Sequence, residues 1–218
     1  MPFEGGLMRR AFAWTRGMVL GIGVAFSGPA RAQSSVVHDA EGDMVKEGEP
    51  YLDVLEMELS IVGGVLTSRM QVAAPLPAEP PRLNGGRVMV WEPACLDLDP
   101  TVNPTGWPFG PDSPFECEIF VLFIGYEDGY HGLFVDRRPG ASGGDPIIYD
   151  CSSSAGLHCD LDGDSITIRA DVALWKEVPP QFVWRGGVLQ VKHLGQKSLS
   201  TQIFDFGTDP PYSWVTWP

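Results

Sequence analysis

The chain is poor in basic residues and in histidine, and this scarcity argues against several classes of function. Its 218 residues include only 15 Lys and Arg against 28 Asp and Glu, a formal net charge of -13. A chain this acidic repels phosphate backbones and anionic lipid surfaces, so we expect no nucleic-acid partner. The four histidines, His38, His131, His158 and His193, stand singly, and none lies in a metal-binding motif such as H-E-x-x-H.

The sequence also lacks an apolar run long enough to be a membrane anchor. Basic residues near the start precede the apolar run Met18–Phe26, which is much shorter than the roughly 20 residues of a membrane span. Ala30-Arg31-Ala32 follows as a small-x-small cleavage site. The pattern predicts a bacterial signal peptide over residues 1–32, an exported mature chain that begins at Gln33, and no transmembrane segment in that mature chain.

The export route stays open. Arg9-Arg10-Ala11-Phe12 resembles a twin-arginine signature, whereas disulfides form more easily after export of an unfolded chain by the general secretory route. Removal of residues 1–32 takes away four basic residues and one acid, which leaves a charge of 11 − 27 = -16. The mature protein is therefore expected to be a strongly acidic periplasmic or extracellular domain.

Cysteine is scarce, and no C-x-x-C pair occurs, which argues against a zinc ribbon. The four cysteines, Cys95, Cys117, Cys151 and Cys159, all follow the signal segment. An even number in an oxidising compartment indicates two disulfides, for which three connectivities are open. We expect neighbours to pair, Cys95 with Cys117 and Cys151 with Cys159.

Helical periodicity is absent, whereas turn residues are abundant, with Gly 26 and Pro 20. Apolar and polar residues alternate over Tyr51–Val62 and again after Gly63-Gly64, which predicts a β-hairpin. The pattern predicts about nine strands, at residues 51–62, 66–72, 87–92, 119–124, 130–137, 147–150, 165–173, 182–193 and 199–206. We therefore expect an all-β fold, a two-sheet antiparallel β-sandwich of jelly-roll type, as one domain over residues 33–218.

No catalytic motif stands in a suitable context. Gly140–Gly144 satisfies G-x-S-x-G, but no helix pattern follows it, as an esterase nucleophile would require. Gly163-Asp164-Ser165 resembles the nucleophile block of GDS-type esterases, but it leads into a strand and is interpreted as a turn. We expect the protein not to be an enzyme.

Two acidic segments have the oxygen-rich composition that calcium prefers. The first is the turn-rich stretch after Cys95, with Asp97, Asp99 and Asn103 as candidate ligands. The second is Asp39-Ala40-Glu41-Gly42-Asp43, with Asp39 and Asp43 as candidate ligands joined in space by Asp205 or Asp209. Calcium is therefore the cofactor that we expect, if any is bound. Asp160–Asp164 is interpreted as a hairpin turn instead.

Tryptophans outside the predicted strands are candidates for stacking on sugar rings. Trp107, Trp214 and Trp217 lie in Pro- and Gly-rich segments and are the predicted ligand-binding residues. Trp184 and Trp175 lie within or at the end of predicted strands and are expected in the core.

The order of these features resembles bacterial secreted β-sandwiches related to family 9 carbohydrate-binding modules and DOMON-type domains. The resemblance is carried by five segments: Asp39-x-x-Gly42-Asp43, Tyr51-Leu52-Asp53-Val54, Leu96-Asp97-Leu98-Asp99 to Thr105-Gly106, Phe182-Val183-Trp184, and Asp205-x-x-x-Asp209-Pro210-Pro211. The tail Trp214–Pro218 departs from the pattern. Members bind sugars, haem or calcium, or have no assigned ligand, and are generally not enzymes.

The sequence thus predicts a non-catalytic exported binding module for a carbohydrate or other extracellular polymer. Two alternatives stay open at this point. One is a structural cell-envelope domain, with or without calcium, that has no small ligand. The other is a small secreted hydrolase.

Overall fold

The fold is a two-sheet antiparallel β-sandwich, which confirms the predicted fold class. The computed structural model describes residues 33–98, 117–138, 146–175, 182–193, 199–207 and 215–217. All of these residues belong to one compact unit. Among them, no helix is long and apolar enough to cross a membrane.

Twelve strands, one 3₁₀ turn and one short helix make up the described part of the chain. They are β1 (Gln33–His38), the 3₁₀ turn η1 (Pro50–Leu52), β2 (Val54–Val62), β3 (Val65–Val72), β4 (Arg87–Asp97), β5 (Ile119–Tyr126), β6 (Gly129–Asp136), β7 (Ile147–Asp150), β8 (Leu157–Asp162), β9 (Ser165–Asp171), α1 (Val172–Trp175), β10 (Val183–His193), β11 (Leu199–Phe206) and β12 (Val215–Thr216). Three of them, β1, β8 and β12, were not predicted from the sequence.

The strands form two sheets. Sheet A has five strands in the order β1-β2-β3-β9-β8. Sheet B has seven, in the order β11-β10-β4-β5-β6-β7, with β12 paired to β10. The edge strand β1 therefore belongs to one sheet and the edge strand β11 to the other, and residues at their ends meet in the site described below.

The main core lies between the two sheets. Large side chains such as Trp91, Trp184, Phe134, Met57 and Met70 are fully buried there. Because neighbouring residues of a strand face opposite sides, the alternate residues of sheet B form a second buried cluster on its other face. Its members are Val90, Cys95, Cys117, Phe120, Leu122, Ile124, Val135 and Leu189.

Both predicted disulfides are present, and the predicted pairing is confirmed. The disulfide between Cys95 and Cys117 joins β4 to the segment just before β5, and the two Cα atoms are 5.5 Å apart. Cys151 and Cys159 are bridged with a Cα separation of 5.9 Å. Because Cys151 follows β7 of sheet B and Cys159 lies on β8 of sheet A, the second disulfide joins the two sheets along one side of the sandwich.

Candidate metal centre

Three aspartates converge from two places in the fold, the loop after β1 and the strand β11. Asp39 directly follows β1, Asp43 lies four residues later in the same loop, and Asp205 lies on β11. One carboxylate oxygen from each lies within 4.8 Å of the others. The site therefore combines a loop that leaves sheet A with a strand of sheet B. Of the two aspartates that the sequence analysis offered as spatial neighbours of the second acidic segment, Asp205 is the one that lies beside it here.

Backbone contacts hold the loop against both sheets. The N–H of Asp39 donates to the carbonyl of Leu55 on β2, at 2.9 Å. The N–H of Lys46 donates to the carbonyl of Phe204 on β11, at 3.3 Å. Gly42 turns the loop between these anchors with a φ of +85°, a conformation that residues with a Cβ rarely adopt. The glycine thus allows Asp39 and Asp43 to point toward the same place.

Asp205 is fixed by two backbone donors and is almost fully buried, at 2% exposure. The N–H of Val54 donates to its Oδ2 at 2.6 Å, and the N–H of Phe206 donates to its Oδ1 at 2.9 Å. Val54 begins β2, so the first of these bonds links the two sheets. Its orientation therefore depends on both layers of the fold.

A fourth carboxylate, Asp53, lies beside the three and was not singled out from the sequence as a ligand. It is 3% exposed, and its Oδ2 accepts a hydrogen bond from the N–H of Gly42 at 2.8 Å. Its other oxygen, Oδ1, is buried and accepts no hydrogen bond from the described residues. Its sequence signal was weak, because Asp53 falls inside the predicted strand 51–62 and is marked only as part of the Tyr51-Leu52-Asp53-Val54 segment.

The electrostatics of the cluster favour a cation. The pKa of Asp205 is raised to about 7, mainly by burial and also by the negative charges of Asp39 and Asp53. Hydrogen bonds from the backbone N–H groups of Val54 and Phe206 act in the opposite direction and lower it. Negative charges that raise a neighbour's pKa in this way are stabilised by a positive ion placed among them.

The three oxygens are close enough to share one ion. Calcium binds oxygen ligands at about 2.3–2.6 Å and tolerates irregular geometry, so carboxylates whose oxygens lie within 4.8 Å of one another can serve as its ligands. Magnesium binds at about 2.0–2.1 Å and demands near-octahedral geometry, so it is the less tolerant of the two ions. The all-oxygen donor set also fits a hard cation better than zinc or copper.

The other predicted cation site has only one residue in the described part of the chain. Asp97 is the last residue of β4, where it pairs with Val183 and is buried. The prediction that Asp97 lies in a turn-rich loop is therefore wrong, because β4 continues five residues beyond its predicted end at Glu92. Asp99, Asn103 and Asp209 lie outside the described residues.

The structure corrects one of the three predicted ligand-binding tryptophans. Trp217 is 3% exposed, and its ring stacks on Phe182 with 4.9 Å between centroids. Its indole N–H donates to Oε1 of Gln33 on β1, at 3.3 Å. Trp217 is thus a core residue rather than a ligand platform, because the chain end returns to β10 as β12 and brings it into the sandwich. Trp107 and Trp214 lie outside the described residues.

His131 has a defined polar environment, but the order of its partners differs from that of a serine triad. Its Nε2 lies 3.1 Å from Asp128, and its Nδ1 lies 3.3 Å from Asp150, whose other oxygen accepts a hydrogen bond from the hydroxyl of Ser152. The carboxylate thus stands between histidine and serine. In a serine triad the histidine must stand in the middle to take the hydroxyl proton.

Of the two serine motifs, one lies in the described part of the chain. Gly163 has a φ of +61° and Gly163-Asp164 forms the β8–β9 hairpin turn, as predicted, with Ser165 accepting a hydrogen bond from Arg69. The G-x-S-x-G segment at Gly140–Gly144 lies outside the described residues.

Comparison with known proteins gives no family assignment. No family model matches the chain, and neither a curated protein nor a solved structure is significantly similar to it.

Proposed function

We propose that this chain is an exported, non-catalytic β-sandwich module that binds one calcium ion at Asp39, Asp43 and Asp205. The observation that supports the proposal is the convergence of three carboxylate oxygens within 4.8 Å of one another. A buried fourth carboxylate, that of Asp53, stands beside them. Bringing four negative charges together is unfavourable without a counter-ion, and a bound calcium ion removes this cost.

The ion has a structural role in this proposal, because its ligands come from both sheets. On the β7/β8 side, the sheets are already joined by the disulfide between Cys151 and Cys159. On the β1/β11 side, the described links are non-covalent, such as the bond from Val54 to Asp205. Calcium there would provide the second junction. Exported proteins meet both an oxidising environment and millimolar calcium, so the two junctions fit the same location.

Calcium binding to the chelator-treated protein is the direct test of the proposed function. We expect isothermal titration to find one calcium per chain, with magnesium binding far more weakly. A stoichiometry of zero, in protein whose disulfides are intact, would contradict the proposal. Weak sites at many surface acids would give instead a shallow signal without a defined stoichiometry.

We further propose a carbohydrate or other extracellular polymer as the ligand of the module. This proposal rests on the sequence resemblance and on Trp107 and Trp214, which stand in Pro- and Gly-rich segments typical of surface loops. The strongly acidic composition favours an uncharged polymer over an anionic one.

Retention on polysaccharide tests this ligand class. We expect Trp107→Ala or Trp214→Ala to abolish retention on the best-bound polysaccharide, because each ring would supply stacking on a sugar face. Melting temperatures of both variants should change by only a few degrees. Trp184→Ala is the matched control: its fully buried ring should cost about 3 to 5 kcal/mol of stability when removed. If the Trp107 and Trp214 variants are stable and still bind, the binding face does not include these two rings.

A further inference from the structure

Asp53 is held next to the three proposed calcium ligands from two directions. Its Oδ2 accepts a hydrogen bond from Gly42, which lies in the loop between Asp39 and Asp43. Its chain neighbour Val54 donates to Asp205. The carboxylate of Asp53 is thus tied to the Asp39–Asp43 loop, and its backbone adjoins the residue that is bonded to Asp205 on β11.

The second oxygen of Asp53 is in an unusual situation. Oδ1 is buried, and no group in the described parts of the chain donates a hydrogen bond to it. Leaving a buried charged acceptor without a donor is costly, and such groups usually indicate an ordered water or an ion. Within the described parts of the chain, this oxygen therefore has room for a donor that is not a protein group.

Asp53 is close to the cluster but is not one of its converging groups. The three oxygens that lie within 4.8 Å of one another belong to Asp39, Asp43 and Asp205. Calcium takes six to eight oxygen ligands, and water molecules commonly supply some of them. A water bound to the ion would carry two polarised O–H donors, and Oδ1 of Asp53 has no donor among the described residues.

We infer that Asp53 is an outer-sphere ligand of the calcium site: it does not touch the ion, and its Oδ1 accepts a hydrogen bond from a water molecule coordinated to the ion. The inference rests on the proposed calcium function. Asp53 is in this view a positioning residue: it orients one water ligand through Oδ1 and the Asp39–Asp43 loop through Oδ2. Its charge also brings the site to four carboxylates, which favours divalent over monovalent ions.

The Asp53→Asn variant tests this role. Asparagine can still accept the hydrogen bond from Gly42, but it places an N–H₂ donor where Oδ1 was, so it cannot accept the proton of the water ligand. We expect calcium affinity to fall about 10- to 100-fold, as for other outer ligands of metal sites. The exposed Glu49, which precedes η1, gives the control: Glu49→Gln removes the same charge nearby and should leave affinity within about twofold, because exposed charges are screened.

A terbium measurement on the unmodified protein tests the water directly. Terbium replaces calcium at oxygen sites, and excitation of nearby aromatic side chains makes it emit. Tyr51 lies two residues before Asp53, and its ring is 6.4 Å from that of Trp91. The emission lifetimes in H₂O and D₂O count the waters on the bound ion. We expect at least one.

The outcomes separate this inference from the proposed function. A bound terbium ion without water, or an Asp53→Asn variant that binds calcium as tightly as the unmodified chain, would overturn the role of Asp53 and leave the calcium site standing. Absence of any calcium or terbium binding by the unmodified chain would overturn both. Weakened binding in Asp53→Asn together with a coordinated water would support the inference.

Discussion

Millimolar calcium should raise the melting temperature of the chelator-treated protein by about 5 to 10 °C. An ion that binds only the native state at 100 times its dissociation constant stabilises that state by about 2.7 kcal/mol. For a domain of this size, each kcal/mol shifts the melting temperature by roughly 2 to 4 °C. Calorimetry of one sample with chelator and then with excess calcium measures the shift.

The loop that carries Asp43 offers a matched pair of variants. Asp43→Asn removes one converging carboxylate and should abolish most of the calcium-dependent shift. Glu41→Gln removes the same charge two residues away, at an exposed side chain outside the converging group, and should keep the shift. Equal shifts in the two variants would mean that calcium acts by general screening of an acidic protein and not at this site.

Strand alternation and turn chemistry were sufficient to predict much of the fold. The β2–β3 hairpin was predicted because Gly63 and Gly64 follow an alternating strand, and both adopt positive φ, +60° and +83°. The alternation also placed Leu59 and Met57 in the core, where they are fully buried. Here the local pattern and the tertiary environment require the same residues.

The missed and shortened strands have physical reasons. Strand β1 was missed because its sequence is largely polar. It is an edge strand, and its residues are exposed or half-buried. Strand β4 was predicted to end at Glu92, just before Pro93, a residue that lacks a ladder donor. The strand continues to Asp97 because Pro93 lies within an irregularity in the pairing with β5, between Trp91 and Ala94.

The candidate site was predictable where residues were close in sequence, and less so elsewhere. Asp39 and Asp43 were proposed together because one short bent segment carries both, and Asp205 was added from the acidic closing segment. Asp53 was not proposed as a ligand, because its role depends on burial and on its contact with Gly42, which only the folded chain provides. Trp217 was misplaced for the same reason: the pairing of β12 with β10 is a long-range contact.

Sheet B also contains a buried ionisable residue that the sequence did not indicate. Glu92 is 1% exposed and lies next to Trp91 in the irregular part of β4. Arg185 is equally buried and lies opposite Cys95 on the neighbouring strand β10. The pKa of Glu92 is raised to about 8 by burial, while the charge of Arg185 lowers it.

This pKa predicts how stability should change with pH. The pKa of the Glu92 carboxyl is ordinarily 4.5, and in the folded protein it is raised to about 8. Between pH 4.5 and pH 8, the folded state therefore keeps a proton that the unfolded state has released. The free energy of unfolding contributed by Glu92 therefore falls as pH rises through this window and changes no further above it. At about 1.4 kcal/mol per pKa unit, the loss can reach about 5 kcal/mol.

The substitution Glu92→Gln should remove this pH dependence, because glutamine has similar shape and no proton to release. We expect the stability of Glu92→Gln relative to the unmodified protein to rise by several kcal/mol between pH 5 and pH 8, measured by urea unfolding with chelator present. Comparing the two proteins cancels the titration of all other groups, including Asp205. Glu58→Gln, on the partly exposed face of β2, is the control and should run parallel to the unmodified protein. A Glu92→Gln curve that also stays parallel would show that Glu92 is ionised in the folded protein, paired with Arg185 throughout this pH range.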